Sequence, residues 1–149
     1  RNIRSGTLNV PGIVGFAKAV EIAIDEMDAE NKKYKKWTDT MLEKFSAVGG
    51  KLNGHLTNRL VHNLNIRFDG VQSKSIINTV SKKLAISAGS ACTSDLVEPS
   101  HVLLALGLNE GQAHNSIRIG CNRYNIDEEI DFAINEILNA LESLAKIRV

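Results

Sequence analysis

The feature that most constrains this 149-residue sequence is one long stretch of helical periodicity. Its apolar positions at helical spacing are Ile13, Phe16, Val20, Ala23, Ile24, Met27, Tyr34, Trp37, Met41 and Phe45. Asn9 is a suitable N-cap, Pro11 suits the first turn, and Gly49-Gly50 ends the pattern. The pattern predicts a helix of about nine turns, a length typical of a helix that bridges two domains or lies across one.

The remaining sequence alternates between strand and helix patterns. The predicted elements are strands at 64–68, 84–88 and 116–120, short helices at 73–83 and 99–106, and a final helix from about residue 126. Asn125 and Glu128 form a capping-box pattern for this final helix, and its apolar stripe runs from Ile130 to Leu144. The order predicts an α+β domain with a small, mainly antiparallel sheet covered by helices.

Composition narrows the possible partners. Eighteen basic and 17 acidic residues give a formal charge of +1, which offers no electrostatic reason to expect nucleic acid or an anionic membrane. No apolar run approaches the roughly 20 residues of a membrane-spanning helix. Two cysteines are too few for a disulfide framework, so we expect a reducing, cytoplasmic setting. The N-terminal residues lack a starting Met and a signal peptide, and we expect a piece of a longer protein.

Neither the histidines nor the lysine-rich run of this sequence indicates a binding site. The four histidines are scattered without metal-ligand spacing, so no metal site is predicted. The lysine-rich run at 32–36 lies in the long helix among acidic residues, which favours a solvated helix face.

Cys92 is the first candidate for chemistry. It lies in residues 87–94, Ser-Ala-Gly-Ser-Ala-Cys-Thr-Ser, a run of small residues with nothing bulky to cover the thiol. An accessible thiolate suits a nucleophile or a sulfur carrier. The residues alone leave open an inert cysteine packed beneath a turn.

Two further candidates could bind anions. Residues 4–7, Arg-Ser-Gly-Thr, place hydroxyl and backbone donors before a helix, which suits a phosphate but also describes a plain turn. Arg118 lies between Ile117 and Ile119 in a predicted strand, so its side chain and theirs should point to opposite faces. A carboxylate is the natural partner for such a guanidinium, although an edge-strand arginine facing water fits equally well.

Several stretches of the sequence resemble cysteine desulfurases of the NifS/IscS type, a class V aminotransferase family of fold-type I pyridoxal-phosphate enzymes. They are Arg-Ser-Gly-Thr at 4–7, Pro-Gly-Ile-Val-Gly-Phe at 11–16, the cysteine stretch at 87–94, Glu-Pro-Ser-His-Val-Leu at 98–103, Ala-Leu-Gly-Leu at 105–108 and His-Asn-Ser-Ile-Arg at 114–118. The cysteine stretch is the most specific, because the SufS-like branch carries a different motif. The resemblance spans essentially the whole chain in the right order.

The resemblance implies the C-terminal portion of a homodimeric enzyme, with residues 1–15 ending the large cofactor-binding domain and residues 16–149 forming the long helix and small domain. It implies that Cys92 takes sulfur from L-cysteine as a persulfide and leaves L-alanine. Thr7 would bind the phosphate of pyridoxal phosphate in the partner's site, and Arg118 would bind the substrate carboxylate. The expected partners are the upstream half of the enzyme, sulfur-acceptor proteins and iron–sulfur scaffold proteins.

The sequence departs from the family pattern in one important respect. The family's Schiff-base lysine lies upstream of these residues, so the isolated chain is expected to be inactive. The open alternatives are a selenocysteine or cystine lyase on the same scaffold, and a non-catalytic domain that binds sulfur acceptors. Cys121 is expected to be buried and structural, with a redox role as the lesser alternative.

Overall fold

The long helix predicted from the periodicity forms as a single element. The structure, a computed structural model, describes residues 5–88 and 98–146. Helix α1 covers Val10–Ala47, 38 residues, and the side chain of Asn9 accepts a hydrogen bond from the Gly12 amide at 3.1 Å. Gly49 follows with φ +87°, a backbone conformation that favours glycine and ends the helix. The predicted cap, first-turn proline and stop are therefore confirmed.

Helix α1 has two halves with different surroundings. Its fully buried side chains, Tyr34, Trp37, Thr38, Met41 and Phe45, all lie in the C-terminal half. The apolar side chains of the N-terminal half, such as Ile13, Phe16 and Ile24, are exposed. Only half of the predicted apolar stripe therefore joins the core of this chain.

The sheet has three strands in the order β1-β2-β3, and both pairings are antiparallel. Strand β1 is Gly50–Leu52, β2 is Asn63–Phe68 and β3 is Ser116–Gly120. In β2 the alternation places Leu64, Ile66 and Phe68 in the core, as predicted. Strand β1 was not predicted, because three residues are too few to show an alternation.

Residues 84–88 do not form the predicted strand. The Leu84 amide donates to the Val80 carbonyl at 2.9 Å, so the segment begins as a continuation of the preceding helix end. It reaches the sheet only at Ser87, which forms an isolated antiparallel bridge with Arg118. Leu84 and Ile86 pack against the core from the side, and their apolar character produced the strand-like pattern.

Four further helices lie in the part of the chain that the structure describes: α2 at Ser73–Val80, α3 at His101–Ala105, α4 at Glu110–His114 and α5 at Asp127–Lys146. The short helix α4 was missed, although Asn109 and Gln112 form a capping box in the structure. The predicted pairing of Asn125 with Glu128 is wrong by one residue. Because α5 begins at Asp127, the carboxylate that accepts from the Ile126 amide and from Asn125 is Glu129.

The core lies between one face of the sheet and helices α1, α2 and α5. The buried side chains are contributed by alternate strand positions, by the C-terminal half of α1 and by the predicted stripe of α5, including Ile130, Ile134, Ile137 and Leu141. The predicted α+β class with a small antiparallel sheet is confirmed. Among the described residues, no helix combines the length and apolarity needed to cross a membrane.

The two halves of α1 predict unequal responses to the same substitution. Phe45 is 0% exposed and Phe16 is 72% exposed. In the isolated chain, Phe45→Ala is expected to lower the free energy of unfolding by about 3–5 kcal/mol. The matched control Phe16→Ala is expected to change it by less than about 0.5 kcal/mol. Urea unfolding would measure both, and an equal loss would contradict the division of α1 into packed and unpacked halves.

Candidate active site

The face of the sheet opposite the core is polar and carries Arg118. Ile117 and Ile119 point into the core, and Arg118 between them is exposed, as the flanking isoleucines predicted. Its cross-strand partner in β2 is Asn65. Within residues 5–88 and 98–146, no side chain forms an ion pair or hydrogen bond with the Arg118 guanidinium. The guanidinium therefore offers its donors to an anionic ligand.

The bridge between Ser87 and Arg118 links this polar face to the cysteine segment. The Ser87 amide donates to the Arg118 carbonyl at 3.2 Å, and the Arg118 amide donates to the Ser87 carbonyl at 2.6 Å. Ser87 is the first residue of the predicted reactive stretch, and Cys92 itself lies outside the described residues.

A hydrogen-bonded network covers the polar face next to Arg118. Arg67 donates to the Asn53 side-chain oxygen at 2.8 Å, and the Asn53 side-chain nitrogen donates to Asn65 at 2.7 Å and Ser116 at 2.9 Å. The Ser116 hydroxyl in turn donates to the Gln112 carbonyl at 2.7 Å. Asn53 and Asn65 were not predicted as site residues. The only sequence pattern that points to Asn65 is the alternation of polar and apolar residues in β2.

Thr7 lies at the opposite end of α1 from the sheet. It follows Gly6, whose φ of +85° and open surroundings leave the backbone accessible just before the helix start. The first buried side chain of α1 is Tyr34, 24 residues or about 36 Å beyond Val10. The Tyr34 ring packs on His62, whose carbonyl accepts from the Cys121 amide at the end of β3. A single chain therefore keeps Thr7 and Arg118 apart.

Cys121 has the environment of a structural residue. Its side chain is buried, and burial raises the pKa of its thiol. A neutral thiol is a poor nucleophile because the thiolate is the reactive form. The structure confirms the prediction that Cys121 is buried, and its local chemistry is opposite to what sulfur transfer needs.

The turn between β3 and α5 holds α1 through a set of polar contacts that we call the clasp, formed by Lys33, Lys36, Trp37, Arg123 and Asp127. Lys33 donates to the Arg123 and Asn125 carbonyls at 3.2 and 2.7 Å, and Lys36 pairs with Asp127 at 2.7 Å. The Trp37 indole donates to the same aspartate. The prediction of a solvated helix face holds for Lys36, which is exposed, and is wrong for Lys33, which is partly buried against the turn.

Arg123 completes the clasp from the turn. Its guanidinium pairs with Glu26 at 2.9 Å and with Glu30 at 2.8 Å, which ties the turn to the less buried part of α1. These ion pairs join segments that are distant in sequence. Together these bonds fix the direction in which α1 leaves the domain.

Comparisons with known proteins point to one group of enzymes. The family described as "Aminotransferase class-V" matches residues 1–132. The chain is 42% identical to the cysteine desulfurase IscS of Methylobacillus flagellatus, over 99% of this chain and 36% of that protein. It is 44% identical to IscS of Pseudomonas savastanoi pv. phaseolicola, over 97% of this chain and 36% of that protein. The chain thus spans little more than a third of these relatives.

The fold is also similar to that of a solved structure. A NifS-like protein superposes with a TM-score of 0.80 and 31% sequence identity, covering 95% of this chain and 36% of that one. The similarity in sequence and the similarity in fold therefore each cover little more than a third of a longer relative.

The clasp predicts a pH-dependent contribution to stability. The hydrogen bond from Lys36, followed by that from Trp37, lowers the pKa of the Asp127 carboxyl. Its contribution is therefore complete above the unfolded-state pKa of about 3.9 and is lost as pH falls through the lower folded pKa. Asp127→Asn is expected to lower the urea midpoint at pH 6, and the difference from wild type should shrink below about pH 4.

Trp37 fluorescence provides the readout, since this is the single tryptophan and it contacts Asp127 directly. Asp131→Asn, one turn further along α5, is the matched control and is expected to change the midpoint less. A midpoint difference for Asp127→Asn that stays constant with pH would show that the carboxylate charge is not what stabilises the clasp.

Proposed function

This chain belongs to the aminotransferase class V family, and we propose that it is the C-terminal part of a pyridoxal-phosphate-dependent cysteine desulfurase. The complete enzyme would remove sulfur from L-cysteine and leave L-alanine. The observation that carries the proposal is the Ser87–Arg118 bridge. It holds Ser87, five positions before Cys92 in the sequence, beside Arg118, whose guanidinium is not neutralised by any described side chain. A reaction between a thiol and an anionic amino acid needs such a cation.

Arg118 is proposed to bind the substrate carboxylate. A guanidinium presents two parallel N–H donors to the two oxygens of a carboxylate, which fixes the substrate in orientation as well as in position. The Arg118 backbone amide and carbonyl both bond to Ser87, and its neighbours Ile117 and Ile119 pair with Ile66 and Leu64 in β2. Because its backbone is held in this way, the residue is suited to orienting a small ligand.

Cys92 is proposed to accept the sulfur. Its thiolate sulfur would form a bond to the substrate sulfur while the substrate carbon–sulfur bond breaks. The electron pair would remain on the substrate carbon, which takes up a proton and becomes the methyl group of alanine. The cofactor, when bound, supplies the electron sink for this reaction. Atoms and electrons balance without an external oxidant, and the product on the protein is a persulfide.

Thr7 is proposed to contact the cofactor phosphate. The exposed hydroxyl of Thr7, the open backbone at Gly6 and the positive end of the long α1 dipole together fit a phosphate group. The length of α1 between Thr7 and the sheet supports a role in the partner's site of a homodimer. The covalent lysine would come from the upstream part of the protein, so the isolated chain should neither hold the cofactor covalently nor turn over cysteine.

The exposed half of α1 supports the proposed division of the chain. Residues 1–15 would end the large cofactor-binding domain, and residues 16–149 would form the long helix and small domain. The upstream polypeptide would cover the exposed side chains of Ile13, Phe16 and Ile24. We further propose a cytoplasmic enzyme that passes persulfide sulfur to acceptor proteins and to iron–sulfur scaffold proteins.

The proposal predicts different outcomes for the two cysteines in the complete protein. Cys92→Ala is expected to lower alanine formation from L-cysteine by at least roughly a hundredfold, because the nucleophile is lost. Cys121→Ala is the matched control and is expected to keep the activity at a temperature where it remains folded. Peptide mass spectrometry after L-cysteine treatment should find one added sulfur atom on the peptide that contains Cys92. Finding it on Cys121, with Cys92 unmodified, would overturn the assignment.

A further inference from the structure

One row of residues crosses the sheet at the level of Arg118. Asn53 bonds to Asn65 through its backbone amide at 2.9 Å, Asn65 is the cross-strand partner of Arg118, and Arg118 bridges Ser87. Directly opposed residues in antiparallel strands point to the same face, with Cβ atoms about 4.5–5.5 Å apart. Asn65 therefore lies on the polar face between Asn53 on one side and Arg118 on the other.

The chemistry of the neighbours fixes the orientation of each amide group in this row. A guanidinium can only donate, so the Asn53 atom that Arg67 contacts at 2.8 Å must be its oxygen. The Asn53 nitrogen must then be the atom that faces Asn65 and Ser116. Because a nitrogen donates, the Asn65 atom facing Asn53 at 2.7 Å must be its oxygen.

The orientation of Asn65 leaves one donor group unused. Its oxygen is the atom that faces Asn53, so its nitrogen is not used by that contact, and the residue directly opposite Asn65 in β3 is Arg118. In the described parts of the chain, no acceptor bonds to this nitrogen. The neutral Asn65 amide nitrogen and the cationic Arg118 guanidinium thus belong to neighbouring residues on the polar face, next to Ser87. Neither group has an acceptor among the described residues.

We propose that the Asn65 side-chain nitrogen is a second ligand of the substrate carboxylate, beside the Arg118 guanidinium. This inference rests on the proposed function and extends it. A carboxylate accepts about four hydrogen bonds and donates none, so it matches a site made only of donors. Arg67 and Asn53 act as positioning residues, since they hold the Asn65 amide in the orientation that presents its nitrogen.

Binding of a ligand with and without the anionic group tests the assignment. The probes are L-alanine and L-alaninamide, in which an uncharged amide replaces the carboxylate, and binding is followed by the cofactor absorbance of the complete holoenzyme. Asn65→Ala is expected to raise the Kd of L-alanine roughly tenfold, because a hydrogen bond to a charged group is lost. The Kd of L-alaninamide is expected to change by less than about twofold.

A second variant keeps the shape of the side chain. Asn65→Asp retains an oxygen for Asn53 to donate to and replaces the unused donor by an acceptor that repels a carboxylate. It is expected to weaken L-alanine binding more than Asn65→Ala does. Asn63→Ala is the matched control, since Asn63 lies on the same face two residues earlier and faces Gly120, which has no side chain. It is expected to leave both Kd values unchanged.

The outcomes separate this inference from the proposed function. If Arg118→Ala weakens L-alanine binding and neither Asn65 variant does, Asn65 is not a ligand and the proposed function stands. If Asn65→Ala weakens L-alanine and L-alaninamide equally, its role is structural and the inference is overturned. If neither probe changes the absorbance of the wild-type holoenzyme, the proposed function fails and the inference fails with it.

Discussion

The attachment of α1 to the rest of the domain is the constraint on which this structure depends. Burial of Trp37, Met41 and Phe45 stabilises the contact, and this burial is non-directional. The clasp adds directional bonds from Lys33, Lys36 and Trp37 to the turn before α5. Since the turn begins where β3 ends, these bonds relate the helix axis to the strand that carries Arg118.

The two faces of the sheet have different roles: one packs into the core and stabilises the fold, and the other presents polar side chains. One face supplies Leu64, Ile66 and Ile117 to the core, and the other holds Asn65 and Arg118 at alternate positions of the same strands. A residue on the polar face can therefore be specialised for a ligand while its neighbours maintain the core. The side chains of the polar face hydrogen-bond to one another, which gives them defined orientations before any ligand is present.

Periodicity predicted the long elements of this fold because each of them carries one continuous apolar face. Helices α1 and α5 and strands β2 and β3 follow from that pattern. Strand β1 and helix α4 are too short to show a period, and residues 84–88 have apolar side chains that pack without strand pairing.

Some residues of the candidate site could be predicted from the sequence and others could not. The face on which Arg118 lies follows from the two isoleucines beside it. Asn53 and Asn65 could not be found, because their pairing depends on the register between segments that are distant in sequence. The clasp was missed for the same reason, since Lys33 and Asn125 are separated by 92 positions. The roles of Cys92 and Thr7 stay predictions.

The length of α1 limits how accurately its N-terminal end can be positioned, because a small rotation at the packed end displaces the other end by a large distance. The anchored part of α1 reaches Glu26, which pairs with Arg123, and Val10 lies about 24 Å further along the axis. A tilt of about 5° at the anchor displaces the far end by about 2 Å, whereas a binding group must be held within about 0.5 Å of its productive position. That tolerance corresponds to a tilt of about one degree, and the ion pair at the edge of the anchored part is partly exposed and too weak to enforce it. The far end must therefore be aligned by contacts of its own, and the exposed apolar side chains of α1 are the surface available to make them.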